Sequence, residues 1–194
     1  MFAAQMRLQT LHSFFAAAIS RDFCAKPVER FARMCYNEIN KSEFVEAFRM
    51  KIITYEEIYR DDMIFMVLQA KDALGRKPTL NPDLLNIQSS YLDCNDMFWL
   101  AIDENDRVIG CIGCSRISDT AEAFLHRLYV KPSLKRKGIG SRLLNTAERW
   151  MRENGIKISK VHLGSPQEQW FESYAFYPKH GYTEYEQRYM FKVL

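Results

Sequence analysis

Residues 125–154, LHRLYVKPSLKRKGIGSRLLNTAERWMREN, constrain the fold more than any other part of this 194-residue chain. Leu128, Tyr129 and Val130 favour an extended strand, and Lys131-Pro132 stops it, because proline has no N–H to give to a ladder. Ile139, Leu143, Leu144, Ala147, Trp150 and Met151 then recur with helical spacing and mark an amphipathic helix. Asn154-Gly155 closes that helix with residues that tolerate a left-handed C-terminal cap. Between strand and helix lies a short basic loop, Lys135-Arg136-Lys137-Gly138-Ile139-Gly140.

A strand, a glycine-containing loop and a helix start form an anion site. The first N–H groups of a helix lack partners and together carry about half a positive charge. Glycines at 138 and 140 remove the Cβ atoms that would keep a phosphate away from those groups. The loop is not a P-loop, since G-x-x-x-x-G-K-[ST] is absent, and Leu143 occupies the third-glycine position of a dinucleotide fingerprint. It reads as a pyrophosphate cradle of another kind. Lys131, Lys135, Arg136, Lys137 and Arg142 crowd this stretch and would attract a polyanion.

Strand, Lys135-x-x-Gly138-x-Gly140 and helix together resemble motif A of the GCN5-related N-acetyltransferase (GNAT) superfamily, R/Q-x-x-G-x-G/A, with Lys135 at the first position. The resemblance implies that the loop, residues Lys135, Arg136, Lys137, Gly138, Ile139, Gly140 and Ser141, holds the pyrophosphate of acetyl-coenzyme A. It also implies a bulge in the preceding strand, where backbone near Leu128, Tyr129 and Val130 binds the pantetheine arm and polarises the thioester. The fold expected is an α/β (α+β) domain over residues 50–194, a mixed, mostly antiparallel sheet flanked by helices. An N-terminal helical extension is expected over residues 1–49, where Phe2, Met6, Leu11, Phe14 and Phe15 form one apolar stripe and Val28, Phe31, Cys35 and Ile39 another.

From residue 50 onward, residues 51–55 read as a strand and 62–73 as a helix ended by Gly75. Asn81-Pro82 looks like a cap and first-turn proline opening a second helix through about Tyr91. Residues 97–102, 108–117 and 121–130 are three strands joined by short turns, and Gly110 and Gly113 weaken or bulge the second. After the central helix, 158–163 is a parallel strand, and 182–186 with 188–194 closes the sheet as an antiparallel pair. Cys111 and Cys114 stand three apart on a strand and point to opposite faces, so they cannot share a metal, and no metal site is expected. Five cysteines without a disulfide framework fit a reducing, cytoplasmic setting, and no apolar run reaches the ~20 residues of a membrane span.

Acetyl transfer to an amine needs a proton acceptor for the amine and a donor for the departing thiolate. The segment FESYAFYPKHGY, 171–182, resembles the GNAT pattern Y-x-x-x-G-[FY], and the resemblance implies that Tyr177 is the general acid. A phenol with a pKa near 10 stays protonated at neutral pH and can donate. Many members carry a glutamate base at the position held here by Phe124. Glu122 and His126 lie two residues to either side on the same strand face, and His126 matches a strand histidine of the arylalkylamine N-acetyltransferase branch. His162, on the next strand, is a second candidate.

The function expected is acetyl-CoA-dependent transfer to a primary amine of a small-molecule or peptide acceptor, by a monomer or homodimer that engages no nucleic acid and no membrane. Two rivals remain open. The missing strand glutamate fits a non-catalytic acyl-CoA-binding regulatory module, and the basic stretch 131–142 fits a nucleic-acid-binding domain. The net charge of only +3 and the absence of a binding motif count against the latter.

Overall fold

A computed structural model of the protein describes residues 50–194, so the helices expected over 1–49 lie outside the described residues. Strand β1 (Met50–Thr54) leads through a short 3-10 turn into helix α1 (Arg60–Asp72) and the short helix α2 (Ile87–Ser90). Then follow β2 (Met97–Asp103), β3 (Val108–Arg116), β4 (Glu122–Val130), α3 (Ile139–Glu153), β5 (Ile158–His162), α4 (Phe171–Lys179), β6 (Thr183–Glu186) and β7 (Tyr189–Val193). They form one seven-stranded sheet in the order β1-β2-β3-β4-β5-β7-β6. Only β4 and β5 pair in parallel, as a crossover through α3 requires. The expected mixed, mostly antiparallel sheet is therefore the one observed.

Both faces of the sheet are packed along its first half, and β2 is accordingly buried without interruption from Phe98 to Ile102. On one side the α3 stripe (Ile139, Leu143, Leu144, Ala147, Met151) meets Ile112, Ala123, Leu125 and Val161. On the other, Met63, Met66 and Val67 of α1 join Leu84 and Ile87 against Phe98, Leu100 and Cys111. Cys111 and Cys114 fall in these two separate cores, as period-two alternation demands. Gly110 lets α3 approach: a Cβ there would lie 3.0 Å from Leu143 Cδ1 and 3.0 Å from the Tyr129 carbonyl oxygen.

One expected element differs. The second helix breaks into a 3-10 turn, Pro82–Leu85, and the four-residue α2. Asn81 does not cap it, because its side-chain oxygen is taken by Lys71 Nζ at 2.7 Å, and Lys71 also donates to the Thr79 carbonyl. Asn86, at φ −147°, starts a new turn by accepting from the Ser89 N–H at 3.1 Å. The break places Asp83 toward β4, which matters for the site.

Candidate active site

Strand β4 carries the first feature. Its Tyr129 faces Cys111 of β3 and its His126 faces Gly113, so three steps on β4 oppose two on β3. The extra residue is a bulge at Arg127–Leu128, and Arg127 sits in the left-handed region at φ 53°. A non-glycine residue there is disfavoured by ~1–2 kcal/mol. Its side chain supplies the restraint. Arg127 Nε and Nη2 each donate to Asp83 at 2.8 Å, and Tyr91 Oη donates to the same carboxylate at 2.7 Å. Burial works to raise the Asp83 pKa, but the Arg127 and Tyr91 hydrogen bonds outweigh it and hold the carboxyl below its usual range.

The bulge opens onto a cleft. The parallel β4–β5 ladder ends at Leu125↔Val161 although β4 continues to Val130, so the two strands part and leave a cavity of about 240 Å³. Its walls bring together the bulge residues, His126, His162, Tyr177 and Arg76. A larger open hollow at Ile58, Phe65 and Asp61 lies elsewhere on the surface, and its Asp62 and Arg107 are paired with each other.

The loop into α3 supplies the second feature. Arg136 (φ 62°) and Gly138 (φ 80°) both adopt left-handed backbone, which turns successive N–H groups toward one side as an anion nest. Gly138 is the N-cap, and no side chain caps the helix. The first intrahelical bond runs from Arg142 N–H to the Gly138 carbonyl at 3.0 Å, so the amides of Ile139, Gly140 and Ser141 precede the helical ladder. A Cβ on Gly138 would enter open space, meeting nothing within 4 Å. These residues fit a pyrophosphate group. Ile139 contributes only its amide, since its side chain is buried in the core. Arg136 and Lys137 are exposed beside the nest, whereas Lys135 is bound to Glu172 of α4 at 2.7 Å. Ser141 Oγ lies 3.1 Å from His180 Nε2, a neighbour that the sequence did not point to.

Of the proposed proton-transfer residues, Tyr177 and His126 both line the cleft and Glu122 does not. Tyr177 packs edge-on against Phe176 and Tyr182, at 5.3 and 5.2 Å between ring centroids. Its hydroxyl makes no hydrogen bond among the described residues, and burial pushes its pKa up, so the phenol stays protonated. His126 lies between Tyr91 and Phe124, and burial, helped by the neighbouring Arg127 charge, pushes its pKa down. It is thus neutral at neutral pH, with a lone pair available. His162 also reaches the cleft, stacked on Tyr189 at 4.4 Å, with its pKa lowered mainly by burial. Glu122 is the first residue of β4 and is paired with Lys160. Four residues of extended strand separate it from His126, ~13 Å. The shared strand face is real, but the carboxylate is engaged away from the cleft.

These features match a known family. The acetyltransferase (GNAT) family model aligns with residues 54–182. The chain belongs to the GNAT family of acetyltransferases. It is similar to a spermidine N(1)-acetyltransferase of Thermoplasma acidophilum, with 30% identity over 129 residues that cover 66% of this chain and 73% of the relative. A probable N-acetyltransferase 14 of Xenopus tropicalis shares 29% over 77 residues, covering 40% of this chain and 37% of that protein. In fold it is similar to a GNAT acetyltransferase of Staphylococcus aureus (TM-score 0.68, 24% identity, 75% of this chain and 99% of that one). It is likewise similar to the PaiA N-acetyltransferase of T. acidophilum in complex with coenzyme A (TM-score 0.60, 22% identity, 75% and 99% covered). This GNAT N-acetyltransferase thus presents its bulge and loop on the β4–α3 unit, as expected from motif A. The sequence singled out none of Asp83, Tyr91, Arg76 and Trp170 individually; residues 74–91 were expected to contribute to the acceptor pocket, but spacing there marks no particular residue. In the structure Trp170 packs so closely on Gly164 that a Cβ there would fall 1.9 Å from its ring.

Proposed function

We propose that the protein transfers the acetyl group of acetyl-coenzyme A to a primary amine by direct attack of the amine on the thioester. The observation that carries this reading is the cleft itself: the β4 bulge and Tyr177, whose hydroxyl makes no hydrogen bond among the described residues, line the same cavity. The co-substrate supplies an activated acetyl thioester. The amides of Ile139, Gly140 and Ser141 hold its pyrophosphate. The bulge takes Arg127–Leu128 out of register with β3, and in this reading backbone N–H groups near Leu128–Val130 orient the arm and stabilise the negative charge that develops on the carbonyl oxygen. His126 accepts the amine proton, directly or through water, with His162 on the opposite wall as the other acceptor within the cleft. Tyr177 donates its phenolic proton to the departing thiolate.

Residues 50–194 carry this activity in our reading, since every group named lies within them. No helix among the described residues is long and apolar enough to cross a membrane. The free thiols Cys94, Cys111 and Cys114 are consistent with a reducing, cytoplasmic setting. The test is calorimetric titration of the full chain with acetyl-coenzyme A, followed by thiol release across a panel of primary amines. Binding with amine-dependent thiol release is expected. Binding without release for any amine would return the reading to a regulatory acyl-CoA-binding module.

A further inference from the structure

We propose that Arg76 is the acceptor-recognition residue of this cleft and that the amine it selects carries a carboxylate, as a free amino acid does. This deepens, and rests on, the transferase reading above. Arg76 is placed by its backbone. Helix α1 ends with Gly75 at φ 66°, the Gly75 N–H bonded to the Asp72 carbonyl at 2.8 Å and the Arg76 N–H to the Lys71 carbonyl at 3.1 Å. That pair of bonds is a Schellman closure, which fixes the direction in which residue 76 leaves the helix. The guanidinium then lies over the Trp170 ring, 4.0 Å from its centroid. Trp170 is itself seated on Gly164, where no Cβ would fit.

So one face of the guanidinium is covered by Trp170, yet no hydrogen bond or ion pair among the described residues engages it. Its Nε is buried and has no hydrogen-bond partner among the described residues, and it makes no ion pair there. A buried charged donor without a partner is costly, and native structures rarely keep one without a use. The other cations at this cleft are already matched: Arg127 by Asp83 and Lys135 by Glu172. His126 and His162 are held neutral by burial. The cleft therefore presents one cation without an ion-pair partner among the described residues, and its Nη groups, not the enclosed Nε, are the forked edge open to a ligand. A carboxylate accepts such a fork through two parallel hydrogen bonds. A polyamine would add positive charge to positive charge. That separates the acceptor inferred here from the one in the name of the Thermoplasma relative.

The test uses the full chain and matched acceptors: glycine, leucine and phenylalanine against glycinamide, leucinamide and phenylalaninamide, with spermidine alongside. For each pair the ratio of kcat/KM, acid over amide, is measured in the wild type, Arg76→Ala and Arg76→Lys. Comparing ratios between proteins cancels the different basicity of acid and amide amines. The expected result is a ratio at least about tenfold lower in Arg76→Ala, partly restored in Arg76→Lys, because the acid rates fall further than the amide rates, with the acetyl-coenzyme A Kd held. An unchanged ratio, or spermidine preferred to every amino acid by the wild type, overturns the proposal while leaving the transferase reading intact. So does a uniform loss accompanied by a weaker acetyl-coenzyme A Kd, which would assign the guanidinium to the coenzyme. Acetyl-coenzyme A binding without amine-dependent thiol release for any acceptor overturns the transferase reading, and this proposal falls with it.

Discussion

Asp83→Asn tests whether the β4 bulge is held by a side chain or by the strand itself. The wild-type carboxylate accepts from Arg127 Nε and Nη2 at 2.8 Å each and from Tyr91 Oη at 2.7 Å. Both side chains of the ion pair are sheltered, 29% exposed for Arg127 and 22% for Asp83, so solvent screens the pair only in part. Asparagine keeps the shape but turns one acceptor oxygen into a donor facing another donor. A hydrogen bond to a charged group contributes about 1.5–3 kcal/mol, and bonds sharing one carboxylate are not additive, so the expected loss is about 2–3 kcal/mol. The left-handed backbone at Arg127 then loses its restraint against a strain of ~1–2 kcal/mol. The bulge should relax, and acetyl-coenzyme A affinity should fall by roughly tenfold, ~1.4 kcal/mol.

Denaturant unfolding measures the first effect and calorimetry the second. The pH dependence gives an independent check. Asp83 titrates below its unfolded value, because its hydrogen bonds outweigh its burial. Its contribution is therefore fully present above the unfolded carboxylate pKa of ~3.9 and is lost as pH falls through the lower folded value. The stability gap between wild type and Asp83→Asn should be constant from neutral pH down to about 5 and should close in stronger acid. A variant with wild-type stability and wild-type coenzyme affinity would refute the argument and leave the bulge to backbone preference alone.

Three further outcomes are expected. Gly138→Val should weaken acetyl-coenzyme A binding at least about tenfold with far-UV circular dichroism unchanged, because φ 80° suits only glycine and the side chain would project into the nest; unchanged calorimetry would remove the nest from the coenzyme site. Tyr177→Phe should lower kcat by roughly 10- to 1,000-fold with coenzyme affinity intact, since only the proton donor is lost; wild-type turnover would pass that role to water. For His126, whose pKa burial holds below 6.5, kcat/KM should rise with pH along a limb complete by about neutrality, and His126→Gln should abolish that limb. A limb that tracks the basicity of the chosen amine and survives His126→Gln would reject the histidine as base.

The parts legible in the sequence were those written as local patterns. The α3 stripe is legible because 3.6-residue periodicity puts Leu143, Leu144, Ala147 and Met151 on one face, and all four are buried. The strand–loop–helix geometry around Gly138 and Gly140 was legible because glycine spacing and a helix start suffice to describe it. The second helix was not: Lys71, ten residues earlier, takes the Asn81 side chain that would have capped it, and no local rule contains that competition. Asp83 and Arg127, 44 positions apart, were invisible for the same reason. Glu148, a charged residue on α3, is only 2% exposed. It is accommodated because Lys192 Nζ lies 2.7 Å and Arg152 Nη2 3.2 Å from its carboxylate, and Tyr182 Oη donates to it at 3.2 Å. Its partners other than Arg152 come from beyond the helix.

Side-chain ties keep the cleft in shape although its strands have parted. Past Leu125↔Val161 no ladder bond joins β4 to β5, so the two walls must be tied by side chains. Asp83–Arg127 ties the α1–α2 segment to the bulge, Lys135–Glu172 ties the cradle loop to α4, and Glu148–Lys192 ties α3 to β7. The net contribution of such pairs to stability is small, because desolvation and side-chain ordering offset the attraction, although removing one partner alone costs more, as for Asp83. Their consequence is positional: each fixes the distance between two elements that share no backbone hydrogen bonds. Losing one should therefore cost more in coenzyme and acceptor affinity than global stability alone implies, since binding depends on the spacing between walls. Arg76 is the exception that makes the pattern informative. Among the cations lining the cleft it alone is held without a partner among the described residues, and so it alone is free to meet a ligand.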